Sequence, residues 1–228
     1  MKLAILLPGY LDSPEYTHMR VFKKRLEELS YVVEVLDSCN LWKTGNVEEY
    51  TISNYIKQID QVIDKYSSEA CEEITLIGHS MGGFTSIIAG SRNDKVTKIV
   101  SLCPPPDRLQ SQSHWENGGI RKSKRDLPDN SQEYRVFEIP DSFSKDGIQY
   151  SAVEEVRNIH KPLMIFIALD DVVVAPELTE KIVKNAANPH VVRKEGLGHD
   201  FRFSEEECNL VMSEIELFLM SETGGVFS

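Results

Sequence analysis

The 228-residue chain predicts an α/β domain: a mostly parallel sheet of about six strands with helices on both faces. Three observations carry this. Strand and helix signals alternate along the chain. The first strand, Leu3 to Leu7, is a continuous apolar run, as in a strand covered on both sides. The run Ile74-Thr75-Leu76-Ile77 passes through Gly78-His79-Ser80-Met81-Gly82-Gly83 into an apolar helical segment containing Phe84, Ile87, Ile88 and Ala89.

The elements follow in order. After Leu3 to Leu7, the residues Met19, Phe22, Leu26 and Leu29 recur at helical spacing. Tyr31 to Leu36 is strand-like. Ile52, Tyr55, Ile56, Ile59, Val62, Ile63 and Tyr66 form one helical stripe, and Ile74 to Ile77 is the next strand. Val96 to Cys103 is another, stopped by Pro104-Pro105-Pro106. Leu163 to Leu169 resumes strand character. Pro176 to Ala187 is a helix with Leu178, Ile182 and Val183 on one side, and His190 to Lys194 is a short strand. The last helix opens at Ser204 with Glu207 three residues on, a capping box, and buries Val211, Ile215, Phe218 and Leu219.

Residues 1–103 and 160–220 therefore form the body, and 104–159 an insertion without strong periodicity. Residues 221–228 read as a tail that frays. Within the insertion, Tyr134 to Ile139 has the pattern of a short strand or ribbon, and Ser151 with Glu154 marks a helix start.

Composition narrows the function. Net charge is −11, against the basic face that a nucleic-acid binder needs. The basic run Arg121-Lys122-Ser123-Lys124-Arg125 reads as a solvated loop. The cysteines Cys39, Cys71, Cys103 and Cys208 are scattered without a C-x-x-C pair, so neither a disulfide framework nor a zinc site is expected. No stretch approaches the roughly 18 apolar residues of a membrane span. The N-terminus reads as a strand rather than a signal peptide. A soluble cytoplasmic protein without stable membrane insertion is the expectation; the oligomeric state is open.

The pattern G-x-S-x-G between a strand and a helix is a nucleophile elbow. A serine at the apex of so tight a turn needs small neighbours, which Gly78 and Gly82 provide. The N–H of Met81 then points to where an oxyanion forms. Serine needs an imidazole to take its proton and a carboxylate to orient that imidazole. On a parallel sheet these groups gather at the carboxyl ends of the strands. His160 precedes a strand and His190 begins one. His79 lies inside the elbow, where its side chain packs away from the apex. His114 is in the insertion, and His18 starts the first helix. His199, in Gly196-Leu197-Gly198-His199, lies just past the last strand and is the best-placed base. The strand Leu163 to Leu169 ends in Asp170-Asp171, and both aspartates have the reach. Gly9-Tyr10, directly after the first strand, offers the Tyr10 N–H as second oxyanion donor.

With these parts the chain resembles the α/β-hydrolase superfamily over nearly its whole length, from Leu3 to about Leu219. Ser80, Asp171 and His199 occur in the family order. The family's acid loop often reads G-x-x-D-x-x-V-P. Ala168 to Ala175 matches it with Ala for the first Gly and Ala for the Pro, and the match selects Asp171. Where many members carry His-Gly in the oxyanion loop, this chain has Pro8-Gly9, and it resembles a minimal six-stranded version. The resemblance implies that 104–159 forms a lid; its apolar residues, among them Trp115, Phe137 and Phe143, either line a substrate pocket or anchor the insertion to the body. It also implies a serine esterase that cleaves a small-molecule carboxylic ester without metal or organic cofactor. Amide, thioester or C–C cleavage, acyl transfer, or a non-catalytic receptor on the same fold are the alternatives.

Overall fold

The computed structural model describes residues 1–67, 71–107, 119–128 and 130–221. In chain order the first half runs β1 (Lys2–Leu7), α1 (Thr17–Glu28), β2 (Tyr31–Val35), α2 (Leu41–Thr44), α3 (Ile52–Ser67), β3 (Glu73–His79), α4 (Met81–Arg92) and β4 (Lys98–Leu102). The insertion holds β5 (Ile120–Leu127), β6 (Asn130–Pro140), α5 (Ser142–Gly147) and α6 (Ala152–Glu155). The chain then re-enters the sheet with β7 (Leu163–Ala168), α7 (Pro176–Val183), β8 (His190–Lys194) and α8 (Glu205–Met220).

Six strands form one parallel sheet, as the sequence predicts, and their order is β2-β1-β3-β4-β7-β8. The alternation of side chains divides the core into two layers. Leu3, Ile5 and Leu7 of β1 join Leu76, Ile99, Ile165 and Ile167 under α3, α4 and α7, packed against Tyr55, Ile59, Ile87, Ile88 and Ile182. Ala4 and Leu6 join Ile77, Val100, Leu102, Met164 and Phe166 on the opposite face, beneath Phe22 and Leu26 of α1 and Val211, Met212 and Ile215 of α8. The Ser204 hydroxyl accepts the Glu207 N–H at 3.3 Å and so caps α8, but the reciprocal half of the expected capping box is not made: the Ser204 N–H donates to the Phe201 carbonyl at 3.1 Å.

The strand order reverses at β1: the chain runs out to β2, then crosses back to β3. Such a switch point opens a crevice at the carboxyl ends of the two strands that flank it. Here those ends carry Gly9-Tyr10 after β1 and Ser80 after β3.

The insertion differs from a featureless loop. β5 and β6 pair as an antiparallel hairpin, so the basic run Arg121 to Arg125 is strand and not solvated loop. Phe137 and Ile139 of β6 are buried in the body, and the Arg135 guanidinium donates to the Trp42 carbonyl at 2.6 Å. The Tyr16 hydroxyl donates to the Asp126 carbonyl at 2.8 Å. Residues 222–228 lie outside the described residues. No helix among the described residues is long and apolar enough to cross a membrane.

Phe166 tests the second layer: it is fully buried on β7 with its ring 6.3 Å from that of Phe201. Phe166→Ala is expected to lower the unfolding free energy by about 3–5 kcal/mol, read from urea denaturation.

Candidate active site

Ser80 stands between β3 and α4 with φ 55° and ψ −118°, a conformation that a non-glycine residue adopts only under constraint. Its N–H donates to the Leu102 carbonyl at 2.8 Å, and its own carbonyl accepts from the Phe84 N–H at 2.9 Å. The constraint is the close approach of α4 to the sheet. A Cβ on Gly82 would lie 1.9 Å from the Leu7 carbonyl oxygen, and one on Gly78 would lie 2.1 Å from that of Gly82. As the first residue of α4, Met81 has no intrahelical acceptor for its N–H.

His199 begins a short 3-10 turn, His199–Phe203, after β8. Its Nε2 lies 2.9 Å from Ser80 Oγ, and its Nδ1 lies 2.7 Å from Asp171 Oδ2. The other carboxylate oxygen of Asp171 accepts the N–H groups of Val173 and Val174, each at 2.8 Å. Asp171 is 5% exposed and His199 7%, so the imidazole–carboxylate contact is shielded from water. Asp170, its equal by position in the sequence, points elsewhere. Its carboxylate accepts the Gly196 N–H at 2.8 Å and its own N–H donates to the Leu197 carbonyl at 3.0 Å, tying the two loops together.

The loop after β1 passes against the serine: a Cβ on Gly9 would lie 3.4 Å from Ser80 Cβ. The peptides on either side of Tyr10 are held. Gly9 accepts the Asp12 N–H at 3.1 Å, the Leu11 N–H donates to the Tyr50 hydroxyl at 2.7 Å, and the Tyr10 carbonyl accepts from Arg125 Nε at 3.1 Å and Nη2 at 2.8 Å. Two residues further on, buried Asp12 is hydrogen-bonded to Arg202, and Arg125 stands 3.7 Å away. Burial pushes the Asp12 carboxyl above the usual carboxylate range, while the two guanidinium groups pull it back. Arg202 and Arg125 have no signal in a triad search. The period-2 alternation of Arg121, Ser123 and Arg125 is the signal that points to a strand.

His79 and His18 lie behind His199. The His79 ring is 4.7 Å from that of His199 and 5.5 Å from that of His18. Both are buried, and no ring nitrogen of either has a hydrogen-bond partner among the described residues. Burial drives the His18 pKa down to about 3 and holds His79 well below the ordinary histidine value. Asp12, His18 and His79 bring their ligand atoms within 4.8 Å of one another. The carboxylate is already paired to Arg202 with Arg125 at hand, and two guanidinium charges oppose a metal cation at that point. The thiols of Cys39 and Cys103 are both pushed up by burial, that of Cys39 to about 12, which leaves them protonated and inert.

Ser80 and His199 open onto a cavity of about 610 Å³. Phe143 lines it, with its ring 5.3 Å from that of Tyr10. Phe137 does not: its buried ring packs 5.5 Å from Trp42 and anchors the hairpin to the body. Trp115 and His114 lie outside the described residues. The strand Arg121 to Arg125 forms one wall.

The buried imidazoles give the fold an acid limit. Folded His18 binds its proton only near pH 3, whereas the unfolded chain binds it near 6.5. Below pH 6.5 the unfolded state therefore holds more protons, and stability falls as pH falls. In urea unfolding between pH 6.5 and 4.5, His18→Leu is expected to reduce the slope of stability against pH by about 1.4 kcal/mol per unit. An unchanged slope rules the mechanism out.

A family model described as the alpha/beta hydrolase fold matches residues 7–126, more than half of the chain. Comparison with curated proteins gives no match. Among solved structures the chain is similar to Est1E from Butyrivibrio proteoclasticus, with TM-score 0.74 and 18% identity over 96% of this chain and 87% of that one. For Est1E with ferulic acid bound the TM-score is 0.77, with 19% identity over 96% and 88%. The Pyrococcus furiosus esterase Pf2001 gives 0.68, with 21% identity over 96% and 82%. At these identities the likeness establishes the fold. With the family model spanning both the Tyr10 loop and the Ser80 elbow, the chain belongs to the α/β-hydrolase family.

Proposed function

We propose that the protein is a serine hydrolase that cleaves a carboxylic ester through an acyl-enzyme intermediate. The observation that carries this is the continuous hydrogen-bonded line from Ser80 Oγ through His199 to Asp171, at 2.9 and 2.7 Å. Ser80 attacks the ester carbonyl as His199 Nε2 takes its proton. The negative charge on the carbonyl oxygen is met by the N–H groups of Met81 and Tyr10. His199 returns the proton to the leaving alcohol. It then takes one from water as the water oxygen bonds to the acyl carbon, and hands that proton to Ser80 Oγ as the acyl C–O bond breaks, which releases the acid and restores Ser80. Asp171, held by the Val173 and Val174 N–H groups, fixes the imidazole tautomer and balances the imidazolium.

No step draws on a metal or organic cofactor. The ferulic acid bound to Est1E and the esterases among the structural neighbours favour an ester over an amide. The hairpin and α5 serve as the cap over the acyl site, with Phe143 as an apolar contact. The four cysteines are free thiols, which suits a reducing cytoplasm.

Ser80→Ala is expected to abolish labelling by a fluorophosphonate probe and to lower kcat on p-nitrophenyl butyrate by roughly 10⁶-fold. Full turnover by that variant removes Ser80 from the chemistry. Asp171→Asn should lower kcat by about 10⁴-fold, because the imidazole loses its orienting acceptor. Asp170→Asn keeps an oxygen for the Gly196 N–H and should cost less than about 10-fold; the reverse ranking would move the acid to Asp170.

A further inference from the structure

The chain carries a net charge of −11, yet the wall of its cavity is basic. Arg121, Lys122, Lys124, Arg125 and Arg202 border it, against the carboxylates of Asp12 and Asp200. Most of these cations are already engaged. Arg202 pairs with Asp12 and Asp200, and Arg125 faces Asp12 and holds the Tyr10 carbonyl. Lys122 lies 3.4 Å from Glu138, and Lys124 stacks over Tyr134 on the exposed side of the hairpin. Among the three guanidinium groups that line the cavity, Arg121 is different. It has no carboxylate partner among the described residues. It shares the inner face of β5 with Ser123 and Arg125, which both touch Tyr10, and its guanidinium lies 5.8 Å from the centre of the Tyr10 ring.

We propose that Arg121 is a specificity residue for an ester that carries a carboxylate, gripped by its guanidinium while the ester carbonyl lies at Ser80. The proposal rests on the ester-hydrolase reading above and adds the charge of the substrate. A guanidinium without a carboxylate partner among the described residues presents a planar fork that matches one carboxylate bidentately. A phosphate dianion would call for a second guanidinium fork beside it, and those of Arg125 and Arg202 are taken. The surrounding positive wall steers a negative substrate inward past an otherwise acidic surface.

The test compares matched pairs of esters at low salt. p-Nitrophenyl hemiglutarate against p-nitrophenyl valerate places the charge on the acyl side. 4-(Butyryloxy)benzoate against phenyl butyrate places it on the leaving side. In at least one pair the charged ester should have a kcat/KM about 10- to 100-fold higher, the span that a charge-assisted hydrogen bond provides. Arg121→Gln should collapse that ratio and Arg121→Lys should keep part of it. Lys65→Gln, which removes the same charge from exposed α3, should leave it intact. Added salt should shrink the wild-type ratio. Ratios near one in both pairs, or a preference that survives Arg121→Gln, overturn the proposal while the esterase reading stands. The wild-type ratio decides even if Arg121→Gln fails to fold. If no ester is cleaved and Ser80 takes no fluorophosphonate, the esterase reading itself falls. Calorimetric titration with glutarate then decides the anion site: binding lost in Arg121→Lys or Arg121→Gln supports it, and no heat in the wild type overturns it.

Discussion

Ser80 is held at φ 55° because α4 begins within contact distance of two strands at once. The helix leans on the carbonyl end of β1 through Gly82 and on β3 through Gly78, and any Cβ at either place meets backbone oxygen. Once that contact exists, the serine hydroxyl has one direction left, out over the carboxyl edge of the sheet. The first residue of the helix then presents its unbonded N–H beside it. A left-handed non-glycine residue costs of order 1–3 kcal/mol, and the Leu102 and Phe84 bonds together with the buried face of α4 offset it. The same contact requires β1 and β3 to be neighbours, and so it requires the crossover from β2 that makes the switch point. The site and the topology are one constraint.

A second device keys the moving parts to each other. Asp12 belongs to the loop after β1, Arg202 to the turn that carries His199, and Arg125 to the hairpin, and the three charges meet in one buried cluster. Such a cluster adds little net stability over an apolar replacement, since desolvation consumes the Coulomb gain. What it supplies is register. A displaced hairpin would leave Asp12 short of a cation, and a displaced His199 turn would do the same. A lone buried carboxylate is costly, so the three segments settle together or not at all. Arg125 adds a bond to the Tyr10 carbonyl, which links that register to the oxyanion loop of the proposed reaction.

The body of the fold was legible because its signals are local. Leu3–Leu7 and Leu163–Ala168 are apolar throughout, as strands covered on both faces must be, and the six strands pair in the order that right-handed crossovers allow. The position of His199 followed from the sheet-end rule. The choice between Asp170 and Asp171 did not, because adjacent residues in a turn point in directions set by which backbone N–H groups come near. Val173 and Val174 turn Asp171 inward, and Gly196 draws Asp170 away. The second strand of the hairpin was anticipated at Tyr134 to Ile139, but the first was hidden for another reason. Arg121 to Arg125 is polar at every position, Arg, Ser and Arg on one face and Lys on the other, so its period of two does not register in hydropathy. Its pairing partner begins beyond Leu127, and its inward face is defined by contacts to Tyr10 over a hundred residues earlier. Phe137, an aromatic in the same hairpin, is apolar enough for a pocket but is consumed by Trp42 as an anchor.

The two buried imidazoles follow from what His199 must become. In the proposed reaction it carries a positive charge each time Ser80 attacks, with only the Asp171 carboxylate in direct contact. A protonated neighbour 4.7 Å away would raise that state by several kcal/mol in a weakly polarisable interior. His79 occupies that position because the elbow needs a residue there. Full burial, with His18 and Phe201 closing over it, keeps it neutral where an exposed imidazole would titrate in the working range. Unpartnered ring nitrogens cost stability, which is tolerable here because the neutral ring tolerates burial far better than the charged one. The floor of the site thus stays uncharged, and among the described residues the positive charge at its wall comes from the guanidinium groups of Arg121, Arg125 and Arg202.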